Sequence, residues 1–112
     1  MFVQRYVTGT GTPALQTLKG GQNADLWGFV ATYAEAATYF VKFWWTGNKA
    51  IPVIGTTVPD LTVPVSSSSP PFILMRPIIM GGPVYFAVTL NAVGTDDTAL
   101  GTGGDVISIL LE

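Results

Sequence analysis

The stretch that decides the fold is "IPVIGTTVPDLTVPV", residues 51–65. In its second half every other residue is apolar: Leu61, Val63 and Val65. Such alternation is typical of a β-strand with one buried face. Thr62 and Pro64 lie between them and are expected on the opposite face. Because proline has no N–H to donate to a neighbouring strand, Pro64 predicts that this strand lies at the edge of a sheet or at a bulge.

The first half of the same stretch predicts a turn. Pro52 and Pro59 bracket Gly55-Thr56-Thr57, and this combination of residues is typical of a rigid turn. The turn is expected to lead the chain directly into the edge strand.

The rest of the chain contains short apolar and aromatic runs separated by Gly, Pro, Ser and Asp. The clearest runs are 14–19, 24–33, 38–45, 72–80, 84–90 and 106–112. About seven or eight short strands of this kind predict an all-β fold, an antiparallel β-sandwich or jelly roll. In the run 24–33 the alternation places Trp27, Phe29, Ala31 and Tyr33 on one face.

The domain organisation follows from the first residues. Residues 1–13 end in a Gly/Thr-rich stretch and Pro13, and are expected to form an N-terminal arm. Residues 14–112 are expected to form a single β-sandwich domain. An amphipathic helix over residues 33–45 is the alternative for one segment, because Ala-Glu-Ala-Ala favours a helix locally. The aromatic density of residues 38–45 favours a strand instead.

The composition predicts that much of the surface is covered by other protein. Of 112 residues, 48% are hydrophobic and only 11% are charged, less than half of the usual share of about 25%. A membrane-spanning segment is not expected, since no run reaches the roughly 18 apolar residues that a span needs. A subunit of a protein assembly, with no membrane contact, is the better interpretation.

The composition also excludes several kinds of chemistry. The chain has no histidine and no cysteine, so a Ser-His-Asp triad and thiolate chemistry are excluded. A net charge of −2 with five scattered basic residues argues against a nucleic-acid partner. Calcium at Asp96, Asp97 and Asp105 is an alternative, but Asp beside Gly and Thr is ordinary turn chemistry. We therefore predict no enzymatic activity, no catalytic residues, no cofactor and no metal.

The strand over residues 38–45 has two apolar faces. Tyr39, Val41, Phe43 and Trp45 share one face, and Thr38, Phe40, Lys42 and Trp44 share the other. If the first face packs inside, the second exposes two aromatics around a lysine, a patch typical of protein interfaces. The alternative is that the N-terminal arm or a loop covers this face while Lys42 extends to solvent. An aromatic platform for sugar is a third possibility, although only Glu35 and Asn48 lie near in sequence.

Three groups of residues are therefore candidates for a protein interface. The patch supplies Phe40, Lys42 and Trp44. The sheet edge and its turn supply Pro59, Thr62 and Pro64. The arm supplies Phe2, Tyr6 and Val7, which are expected to order on a neighbouring subunit.

The segment "YFVKFWWTGNKAIPVIGTTVPDLTVPV", residues 39–65, resembles a recurrent segment of tailed-bacteriophage virion proteins. There an aromatic strand centred on lysine precedes a turn, a Pro-x-x-Gly-Thr-x-x-Pro motif and an alternating strand that ends in proline. The matching residues are Lys42, Pro52, Gly55, Thr56, Pro59 and Pro64. The final part, residues 82–112, is similar to the closing half of these proteins, with Gly104-Asp105 before the last strand. The Trp44-Trp45 pair and the arginine within "FILMRPIIM" depart from the family pattern.

What the resemblance implies is a small β-sandwich structural protein of the virion. The expected partner is the major capsid protein lattice, with the chain acting as a decoration, or cement, protein on the outside of the head. It would be made in the host cytoplasm and located in the virion. Self-association is also expected, with a trimer favoured because three-fold positions in a capsid match a three-fold ligand. A tail, fibre-anchoring or baseplate component and a carbohydrate-binding adhesion module are the alternatives.

Overall fold

The structure is a computed structural model that describes residues 2–21, 24–35, 37–45, 51–68, 71–80, 83–94 and 96–112. Its strands form two antiparallel four-stranded sheets that pack against each other, so the predicted β-sandwich is confirmed. The strands are β1 (Phe2–Val7), β2 (Gln16–Thr17), β3 (Ala24–Ala31), β4 (Tyr39–Trp44), β5 (Leu61–Val65), β6 (Phe72–Met80), β7 (Tyr85–Thr89) and β8 (Val106–Leu111). A short 3-10 turn, Leu18–Gly21, follows β2.

The strand order places the two ends of the described chain side by side. The first sheet has the order β1-β8-β3-β6 and the second has the order β2-β7-β4-β5. Early strands therefore pair with late ones, β1 with β8 in the first sheet and β2 with β7 in the second. The edges of the first sheet are β1 and β6, and those of the second are β2 and β5.

The opening stretch of the sequence folds as predicted. β5 is an edge strand, and Pro64 lies opposite Phe40 of β4. Val63 and Val65 are buried and Leu61 packs against the core, whereas Pro64 is exposed. The preceding turn is closed by the N–H groups of Thr56 and Thr57, which donate to the Val53 carbonyl oxygen at 3.0 and 2.8 Å.

Aromatic side chains from both sheets form the centre of the core. Phe29 of the first sheet lies 6.1 Å, between ring centroids, from Phe43 of the second. Tyr6 meets Phe86 edge-on at 5.4 Å, and Phe43 lies 6.2 Å from Phe86. These contacts join β1, β3, β4 and β7, so the two sheets share a single interior.

The prediction of an N-terminal arm is wrong for residues 2–7. These residues form β1, which pairs with β8 from Phe2 opposite Leu111 to Val7 opposite Val106. Val3, Arg5 and Val7 are exposed, while Tyr6 points inward. The segment is a strand because its alternating residues provide one face for the core. The Gly/Thr-rich residues that follow it obscured this alternation in the sequence. The side chain of Phe2 lies outside the described part.

Residues 24–45 confirm one prediction and correct another. The strand predicted over residues 38–45 is confirmed, and the helix considered as its alternative is not formed, since Tyr39–Trp44 is a strand. In β3 a bulge between Leu26 and Gly28 shifts the register, so that Leu26 and Phe29 are both buried. Trp27 is therefore not on the core face with Phe29, and its indole Nε1 instead donates to Glu112 Oε2 at 2.8 Å.

Candidate interaction surface

The outer face of the second sheet is covered by the chain itself. Lys42 and Trp44 of β4, with exposed fractions of 0% and 3%, point away from the core but are buried. Ala87 and Thr89 on the neighbouring strand β7 are buried too. Residues 51–60 and 90–98 form the loops that cover this face.

The loop of residues 90–98 is attached to the sheet through the buried lysine. Lys42 Nζ donates to the carbonyl oxygens of Val93 at 2.8 Å and Asp96 at 3.4 Å. Burial lowers the pKa of Lys42, and the nearby Asp96 carboxylate partly opposes this shift. Asp96 itself accepts hydrogen bonds from Thr98 Oγ1 at 2.6 Å and from the Asn91 backbone N–H at 3.0 Å. The loop thus brings a carboxylate and two carbonyls to one ammonium group.

The loop of residues 51–60 is attached through the neighbouring tryptophan. Trp44 Nε1 donates to the Thr57 carbonyl oxygen at 3.0 Å. The two loops also contact each other, because a Cβ atom built on Gly94 would lie 3.3 Å from Pro59 Cδ. Pro59 is therefore half-buried between the loops.

The expectation of an exposed aromatic patch is wrong for Lys42 and Trp44. Of the alternatives, a loop covers this face, although Lys42 points into the loop and not to solvent. Phe40 and Thr62 are half-buried and Pro64 is exposed, and their role in an interface stays a prediction. With Trp44 inside, the aromatic platform considered for sugar is not formed at this face.

We expect Lys42→Met to loosen the loop of residues 90–98 without unfolding the sandwich. Methionine fills the space of the lysine stem but leaves the Val93 and Asp96 carbonyls without their donor. The cost is about 1 kcal/mol, at the low end for a lost hydrogen-bond partner, because these loop carbonyls can be hydrated instead. Hydrogen exchange should become faster in residues 90–98 and unchanged in β8; uniform acceleration in both would contradict this assignment.

The outer face of the first sheet has no such cover from the described residues. Across it runs a row of cross-strand neighbours in which Val3 lies opposite Leu110, Leu110 opposite Gly28, and Gly28 opposite Ile73. We call the outward-pointing apolar residues of this sheet the outer face. They are Val3, Val7, Trp27, Val30, Ile73, Val106 and Leu110.

The outer face has apolar residues on all four strands of the first sheet, exposed at its two ends and half-buried on the central strand β8. Val3 and Ile73, at its two ends, are 57% and 55% exposed, and Val30 between them is 44% exposed. Arg5 and Ser108 lie in the next row of the same face, opposite each other. Exposed apolar side chains grouped in this way, around Arg5 and Ser108, are typical of an interaction site.

A buried pair of carboxyl groups lies at one end of the sandwich. Asp105 is fully buried and Glu35 is 6% exposed. Glu35 accepts the N–H groups of Thr102 at 2.7 Å and Gly103 at 2.8 Å, while Asp105 accepts the N–H of Ala34 at 2.6 Å. Thr8 Oγ1 donates to Asp105 Oδ2 at 3.2 Å. The pair therefore joins the end of β1, the connector before β4 and the loop before β8.

The two carboxyl groups interact with each other, and this contact shifts their pKa values in opposite directions. Burial and the hydrogen bond with Glu35 raise the pKa of Asp105. Burial would also raise the pKa of Glu35, but hydrogen bonds from Asp105 and from backbone N–H groups outweigh it and lower that pKa. As pH rises, Asp105 is therefore expected to keep its proton longer than Glu35 and to donate it to Glu35. Tyr39 also faces the pair, and burial followed by both carboxyl groups raises its pKa.

The calcium site considered at Asp96, Asp97 and Asp105 is not assembled. Asp105 is bound in the carboxyl pair, and Asp97 packs against Gly55 in a different loop. Within the described ranges, no three acidic side chains are grouped closely enough to hold a metal ion.

A cleft of about 400 Å³ opens between β5 and the first sheet. Thr62 supplies a hydroxyl, and the remaining lining side chains are apolar. The lining residues are Phe29, Val30, Ala31, Leu61, Thr62, Val63, Pro64, Val65, Pro71 and Phe72.

The predicted interface residues do not form one surface. Val7 lies on the outer face of the first sheet, Tyr6 points into the core, and Pro64 lies on the opposite sheet. The other residues of the outer face were missed, although alternation within 2–7 and 106–111 carries the signal.

No described helix is long and apolar enough to cross a bilayer. Comparison with models of protein families, with curated proteins and with solved structures finds no match.

Proposed function

We propose that this chain is a non-catalytic structural protein of a virion, a capsid decoration protein that binds the outside of the assembled head through its outer face. The observation that carries the proposal is the asymmetry of the sandwich. Loops cover the second sheet, whereas the first exposes apolar side chains on β1, β3 and β6, and those of β8 between them are half-buried. The resemblance to bacteriophage virion proteins supplies the partner, which is the major capsid protein lattice.

The proposed mechanism is binding alone. A protein that binds the assembled, expanded lattice more tightly than the immature one stabilises the expanded state by mass action. The low charge of the chain, 11% of residues, fits a subunit whose surface is largely covered in the particle. Burial of the apolar outer face provides the favourable free energy at roughly 25 cal/mol per Å².

We expect a variant with Val30→Lys and Ile73→Lys to bind capsids at least tenfold more weakly, because two ammonium groups would be buried against the lattice. Both side chains are about half exposed, so the melting temperature should stay close to that of the parent protein. The measurement is co-sedimentation with expanded capsids that lack the decoration protein, with immature capsids alongside.

The matched control is Val58→Lys, which changes a side chain that is 71% exposed in the loop over the second sheet. It should bind as the parent protein does. Equal binding by the double variant and the control would overturn the assignment of the outer face. Binding to purified tails and not to heads would favour the baseplate alternative, and specific binding on a glycan array would favour the adhesion module.

A further inference from the structure

The four edges of the two sheets differ in whether another strand can be added. β2 has only two residues, and β5 contains Pro64. β6 contains Pro77, and its residues 74–77 lie opposite the single residue Trp27, so its pairing is interrupted. Short strands, proline and bulges are the means by which proteins block edge-to-edge pairing. Within the described part, these three edges are all blocked in one of these ways.

β1 has none of these features. It has six residues, contains no proline and pairs with β8 in six consecutive register positions. Its one charged residue is Arg5, whose side chain is exposed on the outer face. β1 is therefore a regular strand whose second side is open to pairing.

The hydrogen-bonding phase of β1 identifies the groups that are open. The Thr8 N–H donates to the Asp105 carbonyl oxygen of the neighbouring chain segment at 2.9 Å. Because bonding alternates along an antiparallel strand, Gln4 and Tyr6 bond toward β8, and Val3, Arg5 and Val7 present their N–H and C=O groups to the other side. No hydrogen bond among the described residues uses those outward groups of Val3, Arg5 and Val7.

We propose that β1 binds β1 of a second copy of this chain, antiparallel and about a two-fold axis, so that the two first sheets join into one sheet. Residues opposite each other in an antiparallel pair lie on the same face. Under a two-fold axis Val3, Arg5 and Val7 therefore lie opposite only residues of the same alternate set, and these are the residues whose backbone groups are open. The exposed face and the open backbone groups of β1 in one copy therefore match those of β1 in the other copy.

Charge disfavours one register. A pair centred on Arg5 would place the two guanidinium groups directly opposite each other, which is destabilising. A pair centred on Gln4 places Arg5 of one copy opposite Val3 of the other and separates the two charges. Gln4 itself is held on the inner side, where its side chain donates to the Thr17 carbonyl oxygen and accepts the Lys19 N–H, both at 2.9 Å. The centre of the interface is thus ordered before association.

The pairing of β1 with β1 does not depend on what the outer face binds, although the pairing enlarges that face. Val3 and Val7 lie on the outer face beside the two-fold axis, so the apolar surface of one copy continues into the next. A two-fold pair replaces the three-fold self-association expected from sequence.

The test is sedimentation velocity over a range of concentrations with the parent protein, Arg5→Pro and Arg5→Gln. The parent protein should be a dimer at high concentration. Arg5→Pro removes an N–H that points away from β8, so the sandwich should keep its fold while the dimer dissociation constant rises at least tenfold. Arg5→Gln keeps that N–H and should dimerise at least as tightly as the parent protein.

A parent protein that stays monomeric at every concentration, or forms trimers, would overturn the proposal. So would dimerisation of Arg5→Pro with unchanged affinity. Should Arg5→Pro fail to fold, hydrogen exchange on the parent protein decides the matter without a substitution. The amides of Val3 and Arg5 should exchange rapidly in dilute solution and slowly in concentrated solution, and rapid exchange under both conditions would refute the pairing.

Discussion

Gly28→Ala is expected to abolish the native sandwich, with a loss of more than 4 kcal/mol in the free energy of unfolding. A Cβ atom built on Gly28 lies 1.8 Å from the Phe72 carbonyl oxygen, a backbone atom that cannot turn away. The φ angle of Gly28 is +142°, in a region that is essentially restricted to glycine. Alanine would therefore have to separate β3 from β6 and change the backbone of the bulge at the same time.

Two other glycines separate the effect of the clash from that of the backbone angle. Gly104 has a φ of +77° but no atom within 4 Å of a built Cβ, so Gly104→Ala should cost about 1–2 kcal/mol from strain alone. Gly9 has neither restriction, and Gly9→Ala should change the melting temperature little. Chemical denaturation of all three variants is the measurement. A Gly28→Ala protein as stable as Gly104→Ala would show that the contact with Phe72 is relieved at little cost.

The buried carboxyl pair is expected to give the second largest effect. Asp105→Ala removes the acceptor of the Ala34 N–H and the proton donor to Glu35. Each buried polar group left unpaired costs about 1–3 kcal/mol, so a loss of about 3 kcal/mol or more is expected. The loss should appear as a lower free energy of unfolding in chemical denaturation.

Isosteric variants should reveal which carboxyl group carries the proton. In Asp105→Asn a neutral amide replaces the protonated acid and still donates to Glu35, so the change in stability should be small. Glu35→Gln places an NH₂ group opposite the N–H of Thr102 or Gly103, and the two donors repel each other, which should cost about 1–3 kcal/mol. The opposite ranking of these two variants would reverse the assignment of donor and acceptor.

The pair should also set a pH optimum of stability in the weakly acidic range. The raised pKa of Asp105 means that its contribution is complete below the unfolded-state pKa, about 3.9, and is lost as pH rises through the folded-state pKa. The lowered pKa of Glu35 means that its contribution is complete above about 4.3 and is lost as pH falls through the folded-state value. Asp105→Asn should abolish only the loss on the alkaline side, as thermal unfolding across pH would show.

The elements that the sequence predicted best are those whose residues are compatible with only one local structure. Pro64 within an alternating strand placed β5 at an edge, and Gly55 between two prolines placed the turn before it. The aromatic density of residues 38–45 distinguished the strand β4 from a helix. In each case the decisive signal lay within a few residues and did not depend on distant contacts.

The errors came from interactions between segments far apart in sequence. Lys42 was expected at a surface because no local pattern shows that residues 90–98 cover it. Trp27 was expected inside because the bulge beside Gly28 depends on a close approach by Phe72. The candidate surface was missed because it is completed only when β1, β8, β3 and β6 lie side by side.

The position of β8 between β1 and β3 has a consequence for biosynthesis. β8 is the last of the described strands to leave the ribosome, yet it is the strand that joins β1 to the rest of the first sheet. The nascent chain must therefore carry β1 and β3 without their shared neighbour for most of its translation. Folding of this topology is governed by contacts of high sequence separation, which makes it slow and exposes unpaired strands to aggregation or chaperones in the meantime.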